Sequence, residues 1–192
     1  MNKVALVVGH SRKKQGARNK HHEISEFMFN EFLADKVAIE LTKSGIESEI
    51  VYRGFSYWLL PGKVNKTKAD IAVSMHCNAF NEDQNGTETL YYKNSNKGEC
   101  LATFMQKEIV KCLGLKDRGL KPCVASHKGK AGDRGGYLLK KTKMPCIIAE
   151  PFFIDCDRSL MLAMMKVDEL AKAYANGIES YFYFYDLVEL GG

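Results

Sequence analysis

Apolar residues in this chain gather in three short unbroken runs, and each run stops at a side chain able to bind a metal or move a proton. Val4, Ala5, Leu6, Val7 and Val8 give way to Gly9-His10; the run from Ile71 to Met75 gives way to His76; Cys146, Ile147, Ile148 and Ala149 give way to Glu150. Runs so short and continuous predict strands buried on both faces, as at the centre of a parallel or mixed sheet. Weaker alternation over 46–52 and 86–92 predicts two more strands, the second at a sheet edge. Asn30, Leu33, Ala34, Val37, Ala38 and Leu41 recur at helical spacing. They predict a helix that starts after an N-cap at Ser25, carries Glu26 in its first turn and stops at Ser44-Gly45. Leu101, Met105, Ile109 and Cys112 predict another, ended by Gly114. A stripe of Leu160, Met164, Val167, Ala171, Tyr174 and Ile178 predicts a C-terminal helix capped by Asp157, its methionines filling the core. Residues 11–22, 53–68 and 116–136 read as loops, the last with a short strand inside it.

The resulting order is β-α-β-β-β-α-(β)-β-α. It predicts an α/β fold in a single domain spanning 1–192, a mixed, mostly parallel sheet flanked by helices on both faces. The length of 192 residues suits one such domain with a substantial core. Hydrophobic content of 45% and charged content of 27% are ordinary for a globular protein. No apolar stretch nears the roughly 20 residues of a membrane span. The apolar run after Lys3 is shorter than a secretory core of about 7–15 residues. The expectation is therefore a protein made in the cytoplasm without its own export signal. Six cysteines without a C-x-x-C pair predict buried, reduced thiols. A net charge of +5 favours anionic surfaces such as a cell wall or nucleic acid without choosing between them, and ordinary solubility explains it equally well.

Chemistry in open α/β sheets collects outside the carboxyl ends of the strands. His10, His76 and Glu150 are therefore expected to converge. Neighbours on a strand point to opposite faces, so His76 and Cys77 do not serve one site, which argues against a Cys77 nucleophile. Two histidines and a carboxylate form a usual catalytic zinc set, with a position left for water. The carboxylate comes from Glu23, Glu26 or Glu150, and a second carboxylate is needed as base. Glu150 stands between Ala149 and Pro151-Phe152-Phe153, a setting that tends to raise a carboxyl pKa toward working pH. These features point to a metal-assisted hydrolase, although ligands spread over tens of residues make no compact motif.

Longer motifs then line up in order. They are Gly9-His10; Glu26 with Asn30 and Ala34; a strand ending at Arg53; Val64-Asn65 ahead of Ala69-Asp70; Ser74-Met75-His76-Cys77-Asn78-Ala79; Gly86-Thr87-Glu88; and Pro145 leading to Ile148-Ala149-Glu150-Pro151-Phe152-Phe153-Ile154. Together they resemble the zinc-dependent N-acetylmuramoyl-L-alanine amidases of the amidase-3 type, which include phage endolysin and autolysin catalytic domains. The resemblance implies a Zn2+ ion held by His10, Glu26 and His76, with Glu150 as catalytic glutamate and Glu23 as the fallback ligand. It implies peptidoglycan as substrate and hydrolysis of the amide between the lactyl group of N-acetylmuramic acid and L-alanine. Asn78, His127 and Arg134 are the candidate substrate contacts. Expected besides are a monomer, no nucleic-acid partner, and a phage or prophage lysin that another protein releases to the wall. Alternatives are another zinc peptidase or amidase cutting a wall peptide, or a non-catalytic basic wall-binding protein. The first loop departs from the family: Val7-Val8-Gly9-His10-Ser11 stands where Asp-Pro-Gly-His-Gly-Gly is usual.

Overall fold

A computed structural model describes residues 1–54, 56–125, 133 and 135–190, with the backbone alone over 188–190. Six strands, β1 (Lys3–Val8), β2 (Glu47–Tyr52), β3 (Ile71–Met75), β4 (Thr87–Tyr92), β5 (Asp117–Cys123) and β6 (Cys146–Glu150), form one sheet in the order β2-β1-β3-β6-β4-β5. Every neighbouring pair is parallel except β4 with β6. The sheet is therefore mixed and mostly parallel, as the continuous apolar runs predict. Its central strands β1, β3 and β6 run side by side in one direction, so their carboxyl ends share one edge.

Strand β1 shows why the runs are unbroken. Val4, Leu6 and Val8 enter one core cluster while Ala5 and Val7 enter the other. The period of two sends alternate side chains to opposite faces, and both faces are covered. On the first face lie α1 (Glu26–Lys43), α3 (Asn96–Leu113) and α6 (Val167–Leu190), whose Leu33, Val37, Met105, Ile109 and Tyr174 are buried. On the second lie α2 (Leu60–Lys66) and α4 (Gly136–Lys141), which contribute Leu60, Val64, Leu138 and Leu139. Ser25 caps α1 as expected, its hydroxyl accepting from the Met28 N–H at 3.2 Å. Gly114, at φ +65°, ends α3.

Five expectations are corrected. Strand β4 is interior, between β6 and β5. Its polar side chains Thr87, Glu88 and Thr89 are buried because partners satisfy them, Gln106 of α3 binding both Thr89 and the Thr87 carbonyl. Residues 53–68 are not a plain loop, since they hold a single 3-10 turn (Tyr57–Leu59) and α2. Neither α2 nor α4 exceeds two turns, too short to display a helical period, and Pro61 sits in the first turn, where it costs no hydrogen bond.

The C-terminal helix is two helices, α5 (Asp157–Met165) and α6, broken at Lys166, whose Nζ donates to the Cys112 carbonyl at 2.8 Å. Cys156 rather than Asp157 occupies its N-cap, while the Asp157 carboxylate accepts from Asn19 and pairs with His21. The break shifts the buried stripe, so Met164 and Met165 are 37% and 79% exposed instead of filling the core. The six cysteines are thiols, four of them buried. No described helix is long and apolar enough to cross a membrane.

Candidate metal centre

Backbone hydrogen bonds lace the ends of β1, β3 and β6 together. The Gly9 N–H donates to the Met75 carbonyl at 2.9 Å and the His76 N–H to the Ala149 carbonyl at 3.0 Å. His10, His76 and Glu150 thus stand on three adjacent strand ends, as the apolar runs led one to expect. His10 takes the left-handed conformation, φ +65°, uncommon for a residue with a side chain. Its ring lies with its centroid 5.1 Å from that of His76. Gly9 permits the approach: a Cβ there would sit 2.6 Å from the Met75 carbonyl oxygen and 2.8 Å from the His76 ring.

The third member arrives from the helix. Glu26, only 3% exposed, projects from the first turn of α1 between the two imidazoles. Its Oε2 is 2.9 Å from His10 Nε2 and its Oε1 is 2.8 Å from His76 Nδ1. Each oxygen also accepts a backbone N–H, from Ala17 at 3.2 Å and from Cys77 at 3.0 Å. Burial works against ionisation of this carboxyl. The hydrogen bonds and attraction from His10 and His76 outweigh it and hold Glu26 well below the usual carboxylate range. One donor atom from each of the three residues lies within 4.8 Å of the others. Two imidazole nitrogens and an ionised carboxylate converging so closely fit a catalytic zinc ion. Glu23, the alternative ligand, lies outside: its side chain is 81% exposed and 3.6 Å from Arg18.

The loop before α1 closes over this group through Gly16. At φ +78°, a Cβ on Gly16 would come within 2.6 Å of both Glu26 Oε2 and His10 Cδ2. Substituting alanine imposes left-handed strain of about 1–2 kcal/mol and pushes two donors out of register. We expect Gly16→Ala to weaken zinc binding by at least about tenfold, the lower end of what losing a supporting partner costs a metal site. Competition against a chromogenic chelator measures this, and parental affinity in the variant contradicts the role given to the loop.

Glu150, half-buried at the end of β6, lies across the antiparallel β4–β6 pair from Glu88. Glu88 is 1% exposed, with Oε2 accepting from Arg118 Nε at 2.8 Å and Oε1 from Asn78 Nδ2 at 3.1 Å. The alternation of 86–92 hides this buried pair, and only the Glu in the Gly-x-Glu motif hinted at it. Asn78 is thereby drawn into the framework, its other amide atom accepting the Ala79 N–H. It braces the loop after β3. Cys77 sits behind the site, where burial, and then the Glu26 charge, push its thiol pKa well up. It is no nucleophile at neutral pH. His127 and Arg134 lie outside the described residues.

The family model for N-acetylmuramoyl-L-alanine amidases matches residues 4–180. The chain belongs to this amidase family. Among curated relatives, the N-acetylmuramoyl-L-alanine amidase LytC of Bacillus subtilis is 29% identical over 183 residues, which are 91% of this chain and 34% of LytC. The endolysin of Bacillus phage SPP1 is 29% identical over 154 residues, 74% of this chain and 49% of that protein. The chain thus spans half or less of the length of these two curated relatives. The catalytic domain of the amidase CwlV from Bacillus (Paenibacillus) polymyxa var. colistinus superposes with a TM-score of 0.78 at 25% identity, covering 95% of this chain and 98% of that one.

Proposed function

We propose that residues 1–192 act as a single catalytic domain that hydrolyses, with zinc, the amide joining N-acetylmuramic acid to L-alanine in peptidoglycan. The observation that carries this reading is the meeting of His10, Glu26 and His76 beside Glu150 at one sheet edge. Membership of the amidase family supports the choice of bond. His10, Glu26 and His76 would hold the metal. When bound, zinc supplies a Lewis acid for the scissile carbonyl and lowers the pKa of water toward neutrality.

The chain's own groups do the rest. Glu26, kept ionised by its neighbours, fixes both imidazoles and is itself fixed by the N–H groups of Ala17 and Cys77. This shell presets the donor positions. Glu150 takes the proton of the attacking water and passes it to the leaving nitrogen of L-alanine. The Glu88–Arg118 pair holds the strand opposite Glu150.

Likeness to the SPP1 endolysin supports a lysin role in a phage or prophage; action on the wall after release, as a monomer, is part of the same proposal. Digestion of purified peptidoglycan tests the bond assignment. The expected new amine is that of L-alanine, and the glycan is released with a free lactyl carboxylate. A new amine on any other residue replaces the amidase by a peptidase.

A further inference from the structure

Beside the metal centre lies a cavity of about 360 Å³ that the mechanism does not use. Its wall includes Ser11, Arg12, Lys14, Phe27, Tyr52 and Arg53, so it opens directly after His10 and at the end of β2. Val8 is in register with Tyr52, which places Arg53 beside Gly9-His10 on the next strand. Arg53 differs from its neighbours. Arg12, Arg18 and Arg118 reach carboxylates at 3.1, 3.6 and 2.8 Å, whereas Arg53 reaches none among the described residues. Its guanidinium carbon lies 5.3 Å from the centre of the Tyr57 ring, and its Nε is buried without a hydrogen-bond partner. A buried donor in this state is costly, and a ligand bringing an acceptor recovers the loss.

The proposed substrate has two unlike halves. The glycan is uncharged near the scissile bond, because the lactyl carboxyl is consumed in the amide. The peptide continues from L-alanine into a γ-linked D-glutamate, whose α-carboxyl is either free or amidated. The wall is largely apolar, and the Arg53 guanidinium set in it, with no carboxylate partner among the described residues, favours the peptide half and, within it, the free acid. The spans agree. That carboxylate lies about two residues, roughly 7 Å, from the scissile nitrogen. The β2 end lies between one and two strand spacings of about 4.8 Å from the seam where His10 and His76 meet.

We propose that this cavity is a subsite for the free α-carboxylate of the stem-peptide glutamate. Arg53 is its specificity-determining residue; Lys14 lines the same wall, as does Arg12, whose charge offsets that of Glu31 beside the cavity. The inference rests on the amidase reading for its choice of ligand. Tyr57 backs the guanidinium and limits its swing, leaving the forked donors to meet a planar carboxylate.

Two measurements on the zinc-loaded protein decide it. The first compares kcat/KM for N-acetylmuramoyl-L-alanyl-γ-D-glutamyl-L-lysine with that for the same compound carrying the α-carboxamide. The parent is expected to prefer the acid by about 10–100-fold, the range for a hydrogen bond to a charged group. In Arg53→Gln and Arg12→Gln that ratio falls toward one, chiefly through KM and furthest at Arg53. The ratio is insensitive to a general loss of folded protein, which lowers both rates alike. The second titrates the peptide L-alanyl-γ-D-glutamyl-L-lysine and its amide calorimetrically, reading the subsite without turnover. If neither amide bond is cut but the parent still binds the acid more tightly through Arg53, the subsite stands and the amidase reading fails. Equal handling of acid and amide by the parent overturns the subsite, as does an unchanged ratio in Arg53→Gln. Arg53-dependent binding of poly(glycerol phosphate) without peptide discrimination also overturns it, in favour of a phosphate site.

Discussion

Glu150→Gln is expected to lower kcat by about 10²–10⁴-fold, the contribution of a positioned acid–base group, while leaving the metal bound. The strand gives the reason for separating the two effects. Glu150 ends β6, whereas the converging donors come from the ends of β1 and β3 and the start of α1. Glutamine keeps the shape of the side chain, and the backbone of β6 stays locked to β3 and β4. What is lost is the ability to carry a proton from water to the leaving amine. Metal analysis and steady-state kinetics on one preparation measure both quantities. Parental turnover in the variant removes Glu150 from the proton path, and loss of the metal makes it a ligand instead.

Glu26→Gln has the opposite signature, losing the metal and with it the activity. The two carboxylate oxygens now face four donors or ligand nitrogens: His10 and Ala17 on one side, His76 and Cys77 on the other. An amide can keep an oxygen on only one side and turns an NH2 group against donors on the other. The loss of zinc affinity should exceed the roughly 10–100-fold seen when an outer partner is removed. Chelation should silence the parent, and added zinc should restore it; the variant should not recover.

The same substitution makes a pH test. In the folded state the Glu26 carboxyl ionises well below its reference value of 4.5. Its contribution to stability is therefore complete above about pH 4.5 and is lost as the pH falls through the lower folded value. In the presence of chelator, denaturant unfolding between pH 6 and 3 should show the parent losing stability more steeply than Glu26→Gln. Equal slopes count against an ionised, imidazole-held carboxylate.

Much of the site is legible in the sequence because strand ends in such sheets are where chemistry gathers. His10, His76 and Glu150 each terminate an apolar run, and the parallel pairing of β1, β3 and β6 aligns those termini. Glu26 was less certain, since Glu23 lies only three residues away. The N-cap at Ser25 separates the two in space: it starts α1 so that Glu26 points inward between the imidazoles while Glu23 remains exposed beside Arg18. Gly16, Glu88 and Arg53 were not legible as site residues. Gly16 matters through its close approach to His10 and Glu26, Glu88 through Arg118 on the next strand, and Arg53 through the pairing of β2 beside β1, and none of these leaves a local period.

What the chain determines by itself is local. Period-two burial sets the strands, helical spacing sets α1 and α3, and Ser25 and Gly114 set where helices start and stop. The tertiary structure alone decided that β4 is interior, that the last helix breaks at Lys166, and that its methionines face outward. It also brought Glu26 into contact with His76, fifty positions away. Backbone periodicity is written residue by residue. Contacts across such separations depend on which elements pack together, and that is resolved only when the whole core forms.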